Sequence, residues 1–376
     1  MKTKAVVLNE MGIQRPYHNN KPLLVQEVIL SEPGPGEVLL EVAAAGLCHS
    51  DLSVINGSRP RPMPMVLGHE ASGIVKTVGP MVVDFKPGDH VVCAFVPSCG
   101  HCIYCATGTP ALCENGAIAN KEGTLLGGRK LFKDQSGREL HHHLGISAFS
   151  NYTVVRQESL IKIDPAVPLD KAALFGCGVM TGAGAVINTV NMKPGMSVAV
   201  FGLGGVGLSA ILAAKMSGSH PIIAVDIFED KLESAMATGA SHVVNASLKD
   251  PVEEILKTAK QGVDFSFDCV GDEKVFANAY KATVRGGTVV AVGLPHYSVE
   301  FNIPGVGIVA EEKIIKGSYM GSAVPKRDIP RLMKLYMAGK LPVEKLYSKK
   351  IRLEEINEAF DDLADGTVIR QVLQFD

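Results

Sequence analysis

The sequence carries almost no net charge, because 37 Lys and Arg residues are balanced by 39 Asp and Glu residues. A chain with a formal charge of −2 has no electrostatic footprint for nucleic acid or for an anionic membrane surface. The first ten residues, MKTKAVVLNE, lack the apolar core of a secretory signal peptide. These absences predict a cytoplasmic protein that binds neither nucleic acid nor membrane.

Only one charge-free stretch invites a membrane interpretation, the 18 residues Ser197–Ala214. A transmembrane helix needs roughly 20 predominantly apolar residues. Four glycines lie between Gly202 and Gly207, which disfavours a continuous helix. We therefore predict a strand, a tight turn and a buried helix in this stretch.

The two halves of the chain have different patterns. Residues 1–176 contain short β-branched runs separated by Gly and Pro, which predict a mostly antiparallel, barrel-like domain. Residues 177–324 alternate strand and helix patterns, which predict βαβ units and a parallel sheet. Residues 325–376 carry helical runs and a closing strand. Residues 114–148 are predicted to form a long loop, and the histidines at 141–143 are more consistent with a solvated loop than with a metal site.

Four of the eight cysteines follow the pattern C-x2-C-x2-C-x7-C. A chain of this length without a signal is not a disulfide scaffold, and clustered cysteines in a reducing compartment more often bind metal. Four thiolates close the tetrahedral shell of Zn²⁺, so the pattern favours a structural zinc over surface thiols or an iron–sulfur cluster. The predicted ligands are Cys99, Cys102, Cys105 and Cys113.

A second set of metal-ligand residue types is dispersed along the chain. Cys48, His69 and Cys177 stand in the glycine-containing segments AGLCHSD, GHEASG and FGCGVMTG. Catalytic zinc keeps three protein ligands, such as two cysteines and one histidine, and leaves a fourth position open. Single residues of these types are more often core side chains, so the neighbouring motifs must support this prediction. Cys93 and Cys269 lie in predicted strands and are given no role.

The predicted strand Val198–Phe201 leads into GLGGVG, which matches G-x-G-x-x-G. Its glycines allow a tight turn, close approach of the backbone to a pyrophosphate, and close helix–strand packing. Asp226 ends the next predicted strand, 19 residues after Gly207. A carboxylate there accepts hydrogen bonds from the ribose hydroxyls and repels the extra phosphate of NADP, so the sequence predicts NAD.

Together these motifs resemble the zinc-dependent medium-chain alcohol dehydrogenases over essentially the whole chain. The signature GHE-x2-G-x5-G begins at Gly68, and the cysteine lobe, the GCG turn at 176–178 and GLGGVG follow in the family's order. The resemblance implies a GroES-like antiparallel β-barrel catalytic domain, residues 1–176 completed by 325–376. It also implies a Rossmann doubly wound parallel-sheet domain for NAD, residues 177–324.

The implied activity is the interconversion of a primary or secondary alcohol, medium-chain or aromatic, with its aldehyde or ketone. Zinc would act as a Lewis acid on the substrate oxygen, and NAD would exchange the hydride. By resemblance, Cys48, His69 and Cys177 bind a catalytic zinc, and the four-cysteine lobe makes two zinc ions per chain.

The resemblance also implies roles for neighbouring residues. Ser50 would carry the alcohol proton away, Asp51 would orient the imidazole of His69, and Glu70 would lie beneath the metal. The cofactor would be bound by His49, Thr181, Gly202, Gly204, Val206, Gly207, Asp226, Lys231, Val270, Leu294 and Arg370. The substrate pocket would be lined by Phe95, Ile118, His143, Leu144, Leu294 and Tyr319.

Three positions depart from family patterns. Many members end the proton relay with a histidine where this chain has Ser53. The glutathione-dependent formaldehyde dehydrogenases carry an acidic residue and an arginine where this chain has Arg59 and Ala117, which argues against a glutathione adduct as substrate. Arg59 at the pocket mouth suggests a preference for an anionic or polar group on the substrate.

Alternatives to this activity stay open. They are an S-(hydroxymethyl)glutathione dehydrogenase, a nicotinoprotein alcohol dehydrogenase that retains its NAD, and a zinc-stabilised NAD-binding scaffold without activity. Similarity to the longer, typically dimeric members predicts a homodimer rather than a tetramer. The apolar segment 301–310 is predicted to be an exposed edge that pairs between subunits.

Overall fold

The computed structural model describes residues 1–375. Its strands are β1 (Lys2–Leu8), β2 (Leu23–Leu30), β3 (Glu37–Gly46), β4 (Met65–Val66), β5 (Glu70–Val78), β6 (His90–Cys93), β7 (Phe132–Lys133), β8 (Glu139–His142), β9 (Tyr152–Arg156), β10 (Leu160–Lys162), β11 (Val198–Phe201), β12 (Ile222–Asp226), β13 (His242–Asn245), β14 (Val263–Asp268), β15 (Thr283–Ala291), β16 (Ile314–Gly317), β17 (Tyr347–Ile351) and β18 (Arg370–Gln374). Its α-helices are α1 (Tyr17–Asn20), α2 (His49–Ile55), α3 (Ile103–Ala106), α4 (Glu114–Glu122), α5 (Leu169–Ala172), α6 (Gly178–Gly184), α7 (Gly205–Met216), α8 (Glu229–Thr238), α9 (Pro251–Thr258), α10 (Glu273–Ala282), α11 (Gly305–Ala310), α12 (Pro325–Met337) and α13 (Ile356–Asp365).

The chain divides into two compact units. The first contains residues 1–177, 324–334 and the chain from 347 onward, and the second contains 178–323 and 335–346. The sequence prediction assigned all of 325–376 to the first domain, and the structure differs at 335–346. The reason is packing, because the short turn Val343–Leu346 lies against α7 and α8 and buries Val343 and Leu346.

In the first unit, five strands close a small barrel in the order β1-β2-β7-β8-β4. β1 and β2 pair antiparallel along their whole length, from Lys2 opposite Ile29 to Leu8 opposite Leu23. Alternating apolar side chains of these strands point inward and form a fully buried core. This core includes Val7, Val28, Leu30, Val66, Phe132 and Leu140.

A second sheet of the same unit brings distant parts of the chain together. Its order is β10-β6-β5-β3-β18-β17, with β9 also paired to β3. At the end of β3, Gly46 lies opposite Glu70 of β5 and opposite Val372 of β18. A Cβ atom at Gly46 would come 2.5 Å from Glu70 Oε1, so only glycine allows this close approach. The register therefore sets residues 46–48, 69–70 and 370–372 side by side.

The second unit is a six-stranded, fully parallel sheet in the order β13-β12-β11-β14-β15-β16. The charge-free stretch 197–214 forms β11, a glycine turn and the buried helix α7, as predicted. A cluster of fully buried side chains, including Ala199, Ile223, Ile255 and Val289, packs on the sheet. The predicted fold class, an antiparallel barrel with a doubly wound parallel sheet, is confirmed.

Two local predictions are wrong. Residues 114–148 are not one long loop, because they contain α4, β7 and β8. β8 pairs with β4 and β7 to close the barrel, so His142 and the following His143 are buried rather than solvated. Segment 301–310 contains the helix α11 and is largely exposed, and the edge strand of the parallel sheet nearest to it in sequence is β16.

Within residues 1–375, no single helix is long and apolar enough to cross a membrane. One bent pair of helices, Leu169–Gly176 and Gly178–Thr189, passes that test only when the two are combined, by length and composition.

Candidate metal and nucleotide sites

The dispersed cysteines and histidine converge in the first unit. One ligand atom each from Cys48, His69, Glu70 and Cys177 lies within 4.8 Å of the others, and all four residues are buried. Cys48 precedes α2, His69 and Glu70 stand at the start of β5, and Cys177 precedes α6. These residues are up to 129 positions apart in the sequence, and the fold brings them next to one another.

Asp51 fixes the imidazole of His69. Its Oδ1 accepts a hydrogen bond from His69 Nδ1 at 3.1 Å, and its Oδ2 accepts one from the Cys48 backbone N–H at 3.2 Å. Burial opposes protonation of His69, but the nearby Asp51 outweighs it and raises the His69 pKa. His69 Nε2 is buried and has no hydrogen-bond partner among residues 1–375. The free nitrogen is therefore on the side of the ring away from Asp51.

The two neighbouring sulfurs of this cluster have opposite pKa shifts. A hydrogen bond from Cys177 lowers the pKa of Cys48 despite burial, with further help from His69 and Arg370. The same contact raises the pKa of Cys177, because a second anion beside the first is unfavourable. Such a pair of coupled thiols next to an unpaired imidazole nitrogen favours a cation between them.

Arg370 supplies a buried positive charge to this cluster. Its Nη1 donates to the Leu47 carbonyl at 3.1 Å and lies 3.5 Å from Glu70 Oε2. Burial disfavours the guanidinium charge, but Glu70 and the two cysteines outweigh it and keep the Arg370 pKa above its ordinary value. Arg370 was predicted from the sequence to bind the cofactor, and its contact with Glu70 was not predicted.

The donor set fits zinc. Two sulfurs, one imidazole nitrogen and a nearby carboxylate are ligands that Zn²⁺ prefers, and the His69 tautomer is set by a carboxylate behind it, as in many zinc sites. The unpartnered buried Nε2 is the observation that carries this fit, since buried polar atoms are normally satisfied.

Ser50 and two aromatic rings surround this cluster. Ser50 Oγ lies 3.7 Å from the sulfur of Cys48. The rings of Phe95 and His143 approach His69 edge-on, with centroid distances of 5.8 Å and 5.3 Å. Ser53 Oγ donates to the His49 carbonyl rather than facing the metal ligands. Two other predicted pocket residues of this unit differ in burial, since Leu144 is buried and Ile118 is exposed on α4.

The four-cysteine lobe also forms a cluster, with its four sulfurs within 4.8 Å of one another. The Cys113 sulfur accepts hydrogen bonds of 3.3 Å from the backbone N–H groups of Cys99 and Gly116, and the Cys99 sulfur accepts them from the Cys102 N–H and from Asn115 Nδ2. Burial opposes ionisation of Cys99, but hydrogen bonds from the His101 N–H, Asn115 and the Cys102 N–H outweigh it and lower its pKa to about 6. Burial and the neighbouring thiols raise the pKa of Cys105 to about 12. Four sulfurs would fill the tetrahedral coordination shell of a zinc ion and leave no position for a substrate.

In the second unit, the glycine turn has the geometry that the motif predicts. Gly202 has a φ of +86°, and a Cβ at Gly207 would collide with the Gly202 carbonyl, so neither position accepts a side chain. Asp226 at the end of β12 accepts the Leu203 N–H at 2.7 Å through Oδ2, and it stays partly exposed. The carboxylate therefore also holds the turn, a role that the sequence analysis missed.

The other predicted cofactor residues vary in exposure. In the second unit, Thr181 is buried, while Val270 and Leu294 expose about half of their surface, 49% and 51%. Lys231 lies on α8 with its ammonium 4.7 Å from the ring centre of Phe228. Gly204 precedes α7, and Val206 is partly exposed in its first turn. His49 is exposed at the start of α2 in the first unit.

Asp268 is a buried carboxylate that the sequence analysis did not single out. It ends β14 and accepts the backbone N–H groups of Val270 and Gly271 through Oδ1, while Oδ2 has no hydrogen-bond partner among the described residues. Burial raises its pKa to about 6. The available signal was an Asp at the end of a predicted strand, as at Asp226.

Comparisons with known proteins agree with this geometry. Residues 34–165 match the family model of the alcohol dehydrogenase GroES-like domain, and residues 205–338 match that of the zinc-binding dehydrogenases. The chain is 40% identical to the Mycobacterium tuberculosis protein named "Putative alcohol dehydrogenase D", over 99% of this chain and 100% of the relative. It is 38% identical to the S-(hydroxymethyl)glutathione dehydrogenase of Saccharomyces cerevisiae, over 96% and 95%.

Solved structures of dehydrogenases have the same fold as this chain. Benzyl alcohol dehydrogenase from Acinetobacter calcoaceticus superimposes with a TM-score of 0.93 at 34% identity, covering 100% of both chains. A "putative zinc-binding dehydrogenase" from Sinorhizobium meliloti 1021, solved with NADP bound, superimposes with a TM-score of 0.81 at 26% identity, again over 100% of both.

Proposed function

Because the chain belongs to the zinc-dependent medium-chain alcohol dehydrogenase family, we propose that it is an NAD-dependent enzyme that interconverts an alcohol and its aldehyde or ketone. The observation that carries the proposal is the convergence of Cys48, His69 and Cys177 around the unpartnered Nε2 of His69. The first unit, residues 1–177, 324–334 and the chain from 347 onward, would supply catalysis, and the second unit, residues 178–323 and 335–346, would bind the cofactor.

Zinc bound by Cys48, His69 and Cys177 would act as a Lewis acid that makes the alcohol a better hydride donor. Asp51 keeps His69 in the tautomer that presents Nε2, because Nδ1 donates to its carboxylate. Arg370 offsets the negative charge that Glu70 and the two sulfurs place together in this cluster. These residues hold the site in one geometry before substrate arrives.

Ser50 would receive the alcohol proton. Its hydroxyl is partly exposed and lies 3.7 Å from the Cys48 sulfur, close enough for a substrate oxygen near the metal to reach it. Because this chain has Ser53 where many family members have a histidine, and its hydroxyl is bound to the His49 carbonyl, the proton would pass from Ser50 to solvent or to another base.

The cofactor would be NAD rather than NADP. The carboxylate of Asp226 is partly exposed beside the glycine turn, where it would accept ribose hydroxyls and repel a 2′-phosphate. The neighbour with NADP bound is only 26% identical to this chain, so its cofactor does not transfer directly. Gly202, Gly204 and Gly207 would approach the pyrophosphate, and the start of α7 would offer its free N–H groups.

The substrate would be an aromatic or medium-chain alcohol. The rings of Phe95 and His143 on either edge of His69, and the likeness to a benzyl alcohol dehydrogenase, support an apolar, aromatic-lined pocket. S-(hydroxymethyl)glutathione is a second candidate, favoured by the 38% identical yeast relative. Arg59 and Ala117 stand where that activity would need an acidic residue and an arginine.

The four-cysteine lobe would hold a second, structural zinc, and two chains would form a homodimer. The lobe supplies four sulfurs and no open position. Dimerisation is supported by the edge strand β16, whose residues are all exposed, and by α11, where Val306 and Val309 are 79% and 81% exposed. An apolar edge of this kind is normally covered.

The decisive experiment is a substrate panel followed at the NADH absorbance. We expect kcat/KM for benzyl alcohol and hexanol to exceed that for formaldehyde with glutathione, and NAD to be preferred over NADP. The Asp226→Gly variant should lose the cofactor preference while keeping turnover. Turnover only with glutathione would support the second candidate. NAD retained after purification would indicate a nicotinoprotein, and no turnover with one metal per chain would indicate a scaffold.

A further inference from the structure

Three buried side chains meet at one carboxylate oxygen in the first unit. Asp51 Oδ1 lies 3.1 Å from Nδ1 of His69 and 3.0 Å from Nδ1 of His143. All three residues expose 1% of their surface or less. His143 was predicted from the sequence only to line the substrate pocket, so its contact with Asp51 has no assigned role.

The turn after β8 fixes the position of His143. Its backbone N–H donates to Ser147 Oγ at 3.0 Å, and that hydroxyl donates to the Val66 carbonyl at 2.8 Å. Leu144 and Ser147 have left-handed φ values of 51° and 54°, which close the turn tightly. The imidazole of His143 is therefore held against Asp51 by the barrel itself.

The Asp51 carboxylate, 3.0 Å from Nδ1 of His143, decides which ring nitrogen of His143 carries an N–H. A lone pair at Nδ1 would face the carboxylate and be repelled, so the N–H lies at Nδ1. The approach is not aligned as a full hydrogen bond, and the attraction is mainly that of an N–H dipole and a carboxylate.

His143 also touches His69 directly. Their ring centroids are 5.3 Å apart and their planes are nearly perpendicular, at 86°. His143 therefore restrains both the carboxylate behind His69 and one edge of the His69 ring. A shift of either would turn Nε2 away from the sulfurs of Cys48 and Cys177.

We propose that His143 is a positioning residue that acts through Asp51 to hold His69 Nε2 toward the metal site. The inference rests on the proposed function, because it requires a metal held by His69. Groups that lie behind metal ligands commonly change metal affinity by 10- to 100-fold when they are replaced. His143 is one contact further away, so we expect an effect near the low end of that range.

The test is metal release from the intact protein, measured as loss of the visible absorption of the cobalt-substituted enzyme in excess chelator. The all-cysteine lobe, which absorbs at different wavelengths, serves as an internal reference. His143→Phe keeps a ring but removes the N–H, and we expect roughly tenfold faster release from the His69 site. His143→Asn restores an N–H near the position of Nδ1 and should release metal at close to the wild-type rate.

The matched control is His141→Asn, a neighbouring histidine whose Nδ1 faces the Glu122 carbonyl instead of Asp51. It should leave release from both sites unchanged. If His143→Phe does not fold, as judged by circular dichroism, His143→Leu replaces it.

Two results would overturn the inference. One is a rate of metal release that fails to distinguish the variants: His143→Phe releases metal at the wild-type rate, or His143→Phe and His143→Asn release it equally faster than wild type. The other is additivity in a double-mutant cycle, since His143→Phe should add nothing once Asp51→Asn is present. Failure of the proposed function is a separate outcome, because the wild-type protein would then bind no cobalt with a histidine-containing spectrum.

Discussion

The two sulfur clusters use the same donor atom but are stabilised in opposite ways. In the cysteine lobe, the sulfurs of Cys99 and Cys113 accept backbone N–H groups from residues 99–116 at 3.3 Å, and three of the four cysteines are partly exposed. In the dispersed cluster, Cys48 and Cys177 are buried, and Arg370 from β18 is a positive charge that favours ionisation of both sulfurs.

The comparison shows what separates a local site from a dispersed one. A local loop stabilises its thiolates with its own peptide groups, so it needs no help from the rest of the fold. A dispersed site is assembled by sheet register, and it needs buried charges such as Asp51 and Arg370 because it lacks enough local donors. Damage to the first should mainly affect stability, and damage to the second should mainly affect chemistry.

The largest expected effect separates the two clusters directly. Cys48→Ala should abolish turnover and remove one metal per chain, while NAD binding stays mostly intact because the glycine turn lies in the other unit. Cys99→Ala should also remove one metal, but it should lower the melting temperature and leave kcat of the folded fraction within roughly tenfold of wild type. Metal analysis, calorimetry and steady-state kinetics check both. Near-normal turnover of the Cys48 variant would refute zinc catalysis.

Arg370→Met tests whether the dispersed site depends on its buried charge. Removing one partner of a buried ion pair leaves Glu70 uncompensated, and such changes cost about 3–5 kcal/mol of unfolding free energy. Denaturant unfolding measures the loss. Lys2→Met is the control, since it removes a shorter but exposed ion pair with Glu27, at 2.7 Å, worth under about 1 kcal/mol. Equal losses of unfolding free energy in both variants would show that the buried charge of Arg370 does not stabilise the site.

Ser50→Ala distinguishes metal binding from proton transfer in the dispersed cluster. The hydroxyl is not a metal ligand, so metal content should not change, while kcat should fall by roughly 10²-fold as expected for a lost proton-transfer group. Single-turnover kinetics with benzyl alcohol give the chemical step. A wild-type kcat would exclude Ser50 from the relay.

Asp268→Asn shows what a buried charge does without an opposite partner. Burial raises the Asp268 pKa to about 6, so the ionised carboxylate destabilises the folded state. This loss of unfolding free energy is absent below about pH 4, grows as pH rises and is complete above about pH 6. Two pKa units correspond to at most roughly 3 kcal/mol. Asn keeps an oxygen for the Val270 and Gly271 N–H groups, so the variant should be more stable at pH 7 and equal at pH 4. Parallel pH–stability curves from urea unfolding would contradict this.

The sequence predicted most features whose signal lies within one segment. The lobe ligands occupy 15 consecutive residues, and the glycine turn is flanked by its own strand and helix. The histidines at 141–143 were mispredicted as solvated because three polar residues in a row indicate a loop. The signal for a strand was the alternation in β8, where Leu140 and His142 face inward. The contact between Arg370 and Glu70 had no local signal, since 300 residues separate them.

By itself the sequence determined which residues offer sulfur, imidazole and carboxylate groups, the order of the two domain types and the glycine turn for a dinucleotide. Only the tertiary structure decided that Cys48, His69, Cys177 and Arg370 share one buried volume and that His143 reaches Asp51. The physical reason is that hydrogen-bond register between β3, β5 and β18 selects which distant residues become neighbours. That register is a property of paired strands, and no single segment encodes it.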